Sequence, residues 1–396
     1  MLEKQANVVD KPMTKPGLGI YMDYQSTTPL DPIVLKTMLP YMTSEFGNPH
    51  SSEHAFGWQA NKAVEQAKAQ VSSYINALEN EIVFTSGATE ANNLAIIGTG
   101  YAALDKSNRR TILVSTIEHK CVLGSARFLE RFGFTVKKIP VLKDGHVDLE
   151  QFKSMLSEDV LLVSVMATNN EIGVNQPIKE IGMLCHEKGA IFHVDAAQGA
   201  YSNLDVLENN VDLLSLSGHK VYGPKGIGAL FISQDNPCKP APIILGGGQQ
   251  DGFRSGTIAT PLVVGMGAAF DLMTSVKKDE IVKLSKLRNS LLNGLKQNIP
   301  SLQVNGSLTD RHPGNLNLTI PHIRAQQLIL SLQPKLCFST GSACTSGIPE
   351  PSHVLKALGL STEEAESSFR ITVGRFTTDK NIQEAIDLIS HSTHNK

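Results

Sequence analysis

Ser215-Leu216-Ser217-Gly218-His219-Lys220-Val221-Tyr222-Gly223-Pro224-Lys225-Gly226 is the stretch on which the reading of this chain turns. It closes an apolar run, Val211 to Leu216, and passes into a turn built on Gly223, Pro224 and Gly226. A lysine that a strand delivers into a turn is fixed by the sheet and can be desolvated there. Desolvation disfavours the ammonium, lowers its pKa and makes the amine nucleophilic near neutrality. Such an amine can form a Schiff base with an aldehyde cofactor. Taken alone, Lys220 also reads as an ordinary surface lysine at a strand end, so the rest of the chain has to decide.

Upstream, Ile82-Val83-Phe84 reads as a buried strand, Ser86-Gly87-Ala88-Thr89-Glu90 as a small-residue turn and Ala91 to Leu104 as a helix. The unit recurs at Thr111 to Ser115 with Cys121 to Phe132, at Val160 to Met166 with Ile178 to Lys188, and at Ala190 to Val194 with a following turn. Apolar strands alternating with amphipathic helices predict an α/β fold, a mostly parallel sheet covered by helices on both faces. In such sheets the active groups sit beyond the carboxyl ends of the strands. Thr89, His119, Asn170, Asp195 and Lys220 each follow an apolar run, and are expected to collect along one edge of the sheet. Before these units, Phe56, Ala60, Ala63, Ala67, Val71 and Tyr74 mark the buried face of a long helix.

The length of 396 residues exceeds what one hydrophobic core fills. The expected division is an N-terminal arm of low order over 1–19, a large domain over 20–260 and a smaller α+β domain over 261–396. Thr260 to about Ile299 reads as one long helix or two, followed by short strands alternating with helices. With 41% hydrophobic and 19% charged residues and a net charge of -2, the composition is that of a soluble globular protein. It gives no reason to expect direct nucleic-acid binding or an anionic membrane as partner. The apolar run Leu262 to Phe270 is far short of a membrane span, and the polar start lacks the core of a signal peptide, so the expected compartment is the cytoplasm. Five cysteines, an odd number with no Cys-x-x-Cys pair, argue against a disulfide framework or a zinc ribbon.

Asp195 ends a strand and precedes Ala196-Ala197-Gln198. A buried carboxylate needs a cation, and a pyridinium nitrogen is one that becomes a better electron sink when paired; a helix-capping aspartate is the plainer reading. Gly87-Ala88-Thr89 opens a helix straight after a strand, an anion site with the Thr89 hydroxyl as an added donor. Ser217 and His219 flank the lysine and could add phosphate contacts, whereas Gly223-Pro224-Lys225-Gly226 lacks the spacing of a nucleotide-triphosphate loop. His119 could stack on a flat ring and shuttle protons, or serve as a satisfied structural histidine. His50 and His54 stand four apart without the other residues of a metal motif, and no metal site is expected. Cys344, in Ser339-Thr340-Gly341-Ser342-Ala343-Cys344-Thr345-Ser346-Gly347, has no core-forming neighbours and reads as an exposed, reactive thiol. Cys337 reads as core. Arg370, on a strand, could grip a substrate carboxylate with two nitrogens or form an inter-domain ion pair.

Together these residues resemble the group I cysteine desulfurases, pyridoxal-phosphate enzymes of the aspartate-aminotransferase fold (fold type I). The resemblance runs from Tyr21 to about Ser390. It rests on Asp23-Tyr24-Gln25-Ser26-Thr27-Thr28-Pro29, Thr85-Ser86-Gly87-Ala88-Thr89-Glu90, Asn169-Asn170-Glu171-Ile172-Gly173, His193-Val194-Asp195, Ser217-Gly218-His219-Lys220 and Gly341-Ser342-Ala343-Cys344-Thr345-Ser346. The resemblance implies that pyridoxal 5'-phosphate is tethered by Lys220, with Asp195 on its ring nitrogen, Gln198 on its ring hydroxyl and His119 stacked on its face. It implies phosphate contacts from Ala88, Thr89, Ser217 and His219, with Thr257 reaching the neighbouring subunit's cofactor in an obligatory homodimer. Asn170 and Arg370 would hold the carboxylate of L-cysteine, and Cys344 would carry the sulfur as a persulfide to an acceptor protein. The chain stops at Lys396, short of the C-terminal tail with which housekeeping iron–sulfur relatives dock their scaffold, so a specialised acceptor is expected among iron–sulfur assembly, tRNA thiolation and DNA phosphorothioation. A selenocysteine lyase, an aminotransferase and a non-catalytic partner platform are the rival readings.

Overall fold

The computed structural model describes residues 17–341 and 351–394. A two-residue strand, β1 (Ile20–Tyr21), precedes seven strands that form one sheet: β2 (Ile82–Thr85), β3 (Thr111–Ser115), β4 (Thr135–Ile139), β5 (Val160–Ser164), β6 (Ile191–Asp195), β7 (Leu213–Ser217) and β8 (Gly228–Ile232). Their order across the sheet is β2-β8-β7-β6-β5-β3-β4. All residues of β2, β3 and β5 to β8 are buried, which is why these strands read as continuous apolar runs rather than alternating ones. β4 closes one edge with Lys137 and Lys138, charges that discourage pairing with another chain.

One strand departs from the parallel pattern. β8 runs antiparallel to both β7 and β2. A parallel return needs a crossover of roughly a dozen residues or more, and residues 218–227 form only a tight turn that reverses the chain. Lys220 sits in this turn, held by the flanking strands on both sides.

The long helix expected over 56–74 spans Ala55–Ile75. His54 caps its start by accepting from the Gly57 N–H, and Asn76 ends it at φ 56°. That cap occupies His54, one of the two histidines considered for a metal.

A second core gathers around β9 (Gln303–Val304), β10 (Asn315–Thr319) and β12 (Ser368–Thr372), an antiparallel sheet. β11 (Leu336–Cys337) pairs in parallel with β1. The cores do not divide at residue 260. Thr260–Asn298 is a single helix of 39 residues; Val263 to Met273 pack into the core of the large sheet, and Leu284 to Leu295 into the second core. Met22, fully buried, also belongs to the second core, so the described residues begin there, enter the large sheet and return within one helix. Cys337, expected in the core, is half-buried, with its thiol toward the Leu18 carbonyl, because β11 has only the short β1 beside it.

Candidate active site

Thr89, His119, Asn170, Asp195 and Lys220 all line one cavity of about 640 Å³. They follow β2, β3, β5, β6 and β7, five strands that run the same way, and so meet beyond the carboxyl edge of the sheet. Ala88, Gln198, Ser217, His219 and Arg370 line the same cavity.

The Lys220 Nζ donates to the carbonyls of Gln25 (2.6 Å) and Ser26 (2.8 Å). Burial, with help from the Arg370 charge, brings its pKa down to about 7; Asp23 and Asp195 oppose the shift. A large fraction of the amine is therefore unprotonated near neutrality. Asp195 is buried, and its oxygens accept from Asn92 Nδ2 (2.8 Å) and from the Ala197 N–H (3.0 Å). Among the described residues no cationic side chain pairs with it.

Gly87, at φ 154°, turns the chain from β2 into a continuous helical run over 88–106 and lets free N–H groups face the cavity. Glu90 in the first turn pairs with Arg254 Nε at 2.9 Å, and Gln250 bonds both the N–H and the carbonyl of Phe84. These bonds pin residues 250–254 against β2. Thr257, just beyond, is exposed and does not line this chain's own cavity. His219 Nδ1 lies 3.0 Å from Thr27 Oγ1; burial and the Lys220 and Lys225 charges hold its pKa down at about 4. Lys225 lines the cavity too, a cation that the turn motif by itself did not mark.

His119 caps the helix Lys120–Leu129, its Nδ1 accepting from the Cys121 N–H, and burial lowers its pKa. Gln198 gives one amide proton to the Gln25 carbonyl. Of the two roles considered for Arg370, the ion pair is present: Nη2 pairs with Asp23 at 2.6 Å, Nη1 donates to the Asn170 carbonyl at 2.6 Å, and the buried Nε has no partner among the described residues. Cys344 lies outside the described residues. Its flanks meet the site: Gly341 lines the cavity, and Ser352 Oγ donates to Glu171 Oε2 at 2.5 Å. A Cβ on Gly341 would stand 3.7 Å from Glu171 Cβ and Cγ, so both flanks adjoin the same side chain.

Across residues 20–385 the chain matches the aminotransferase class-V family model. It is 48% identical over 378 residues to the cysteine desulfurase IscS of Rickettsia felis, covering 95% of this chain and 92% of that one. Among solved structures it is similar to a NifS-like protein (TM-score 0.88, 32% identity, 96% and 100% of the two chains). It is also similar to SspA in complex with cysteine (TM-score 0.78, 35% identity, 90% and 99%).

The chain belongs to the class-V aminotransferases.

This family depends on pyridoxal phosphate, and the class-V cavity described above fits that group. Asp195 offers a buried carboxylate held only by neutral donors, which suits a cationic ring nitrogen. Lys220 offers an amine that its lowered pKa of about 7 leaves partly neutral, and Gly87, Ser217, His219 and Lys225 offer donors and charge for a phosphate. Five contributors escaped the sequence reading: Asp23, Gln25, Asn92, Cys121 and Lys225. Asp23 and Gln25 stand in a quoted motif, yet their partners Arg370 and Lys220 are hundreds of residues away, and no local pattern announces them.

Proposed function

We propose that Lys220 tethers the cofactor, that Arg370 and Asn170 hold the substrate carboxylate, and that Cys344 receives the sulfur as a persulfide. The chain is a pyridoxal-phosphate-dependent cysteine desulfurase, which converts L-cysteine to L-alanine. The observation that carries the assignment is Lys220: an amine with its pKa lowered to about 7, set between two carbonyls in the cavity that Asp195 and Arg370 also line.

Bound there, the cofactor supplies an electron sink for the substrate's Cα. Arg370 orients the substrate: its guanidinium lines the cavity and, fixed by the ion pair with Asp23, offers a cation to the carboxylate. Lys220 Nζ would take the Cα proton. The Cys344 thiolate attacks the substrate sulfur; an S–S bond forms and the carbon–sulfur bond breaks. The bonding electrons stay with the carbon fragment, which takes up protons and leaves as alanine. Gln198, Ser217, His219, Ala88 and Thr89 hold the cofactor's periphery. The persulfide then passes its outer sulfur to a thiol on an acceptor protein.

A homodimer is part of this proposal. Leu39 and Met42 on the helix Pro32–Thr43, Phe46 just beyond it, and Phe56 and Trp58 on the helix Ala55–Ile75 are 46%, 60%, 70%, 49% and 60% exposed, an apolar surface that a second copy would cover. Thr257 lies outside its own cavity, as a contact to the neighbour's phosphate requires. No helix among the described residues is long and apolar enough to cross a membrane; a cytoplasmic location belongs to the proposal.

Cys344→Ser tests the reading against a selenocysteine lyase, an aminotransferase or a non-catalytic platform. The variant should keep the yellow colour of the cofactor and lose alanine formation from cysteine. Wild-type alanine formation in the variant would remove Cys344 from the mechanism.

A further inference from the structure

One neighbour of the cofactor cavity has no part in the scheme above. Cys121 Sγ lies 3.0 Å from His119 Nδ1 and 3.2 Å from Asn92 Nδ2, and it lines the cavity. The Thr89 hydroxyl is its third polar contact. Burial and the nearby Asp195 charge push the thiol's pKa up to about 12, so Cys121 keeps its proton and is no second sulfur carrier.

Where that proton points follows from donors and acceptors. The backbone N–H of Cys121 is directed at His119 Nδ1, at 3.3 Å, so Nδ1 is an acceptor and the neutral ring carries its proton on Nε2. With Nδ1 an acceptor, the short contact from Sγ is made by a thiol that donates. Asn92 has two amide protons; one goes to Asp195 Oδ2 at 2.8 Å and the other to Cys121 Sγ. A directed chain results: Asn92 donates at one end to the carboxylate proposed for the ring nitrogen, and at the other to a thiol that donates to the imidazole proposed for the ring face.

We propose that Cys121 is a positioning residue: its thiol, oriented by Asn92, adds a second donor at His119 Nδ1 and, together with its own backbone N–H, fixes the Nε2–H tautomer. The inference rests on the desulfurase reading and deepens it. In that tautomer the other ring nitrogen, Nε2, is a donor with no lone pair to take a proton. Proton removal from Cα therefore falls to Lys220, and His119 acts as a hydrogen-bond donor and proton source. Cys121 acts through His119 and does not touch substrate.

Two measurements test this. The first uses cofactor-free protein: the S–H stretching band of Cys121, assigned by its loss in Cys121→Ala, is recorded by difference infrared spectroscopy. His119→Ala should move the band toward that of an unbonded thiol. A band that His119→Ala leaves in place shows that the proton goes elsewhere, to Thr89 for one, and overturns the inference. The second uses holoenzyme. Cys121→Ala should lower kcat for alanine formation about tenfold, the effect of one hydrogen bond at a reacting group, with KM for cysteine within about twofold. Cys121→Ser, which keeps a donor, should restore most of the rate with the visible band intact. Full rate in Cys121→Ala, or no recovery in a yellow Cys121→Ser, would overturn it. Wild-type protein run alongside separates the failures: if it makes no alanine, the desulfurase reading falls; if it does and the variants match it, only the role of Cys121 falls.

Discussion

Arg375 and Lys220 are both enclosed cationic side chains, and their surroundings are opposite in kind. Arg375 pairs with Asp31 at 2.8 Å and with Glu280, and its guanidinium lies 4.0 Å from the centre of the Tyr222 ring. Glu280 in turn accepts from Tyr201. These partners raise the pKa of Arg375 against its burial. Lys220 has two carbonyls and no carboxylate in contact, with another cation, Arg370, nearby, and its pKa falls. The first arrangement stores a charge as a strut between segments distant in sequence. The second leaves an amine that gains little by holding its proton. Burial alone does not make a lysine reactive; burial without a paired carboxylate does.

The contrast can be broken from either side. Lys220→Ala should abolish alanine formation while the fold persists, as read by circular dichroism. Arg375→Ala should do the reverse: stability falls by about 3–5 kcal/mol, since Asp31 and Glu280 are left buried without their cation. The visible band of the folded fraction stays, and a denaturant titration measures the loss. An Arg375→Ala protein as stable as wild type would show that the strut is ornamental. Between these stands Arg370, which is paired with Asp23 and also lines the cavity. Arg370→Lys keeps the charge and loses the planar fork, and kcat/KM for cysteine should fall about ten- to a hundredfold, chiefly through KM.

The same contrast fixes the smallest effect, a pH dependence. The free amine is the form that captures an aldehyde, and the pKa of Lys220 is lowered to about 7. Cofactor uptake by the apoprotein should rise about tenfold per pH unit below 7 and level off above it. With an ordinary lysine pKa of about 10.4 the rise would continue past pH 9.

The sheet, the cavity edge and most of the residues along it were legible in the chain because they are local. An apolar run ending in a small polar turn says strand and strand end at once, and that pattern located Thr89, His119, Asn170, Asp195 and Lys220. What escaped notice is pairing across the chain. The carbonyls of Gln25 and Ser26 meet Lys220, and Asp23 meets Arg370, through tertiary contacts that no window of sequence contains. The reversal of β8 was hidden for another reason: a buried strand shows the same apolar run in either direction. The helix over Thr260–Asn298 carries apolar residues along its whole length, so its passage from one core to the other leaves no break to read.

The account depends on Lys220 as the tether. Lys225 lines the same cavity and is the natural competitor. Purified protein loaded with pyridoxal phosphate, reduced with borohydride and mapped by peptide mass spectrometry should carry the reduced cofactor on Lys220. Label on Lys225, or protein that stays colourless and unlabelled with the cofactor in excess, would contradict it.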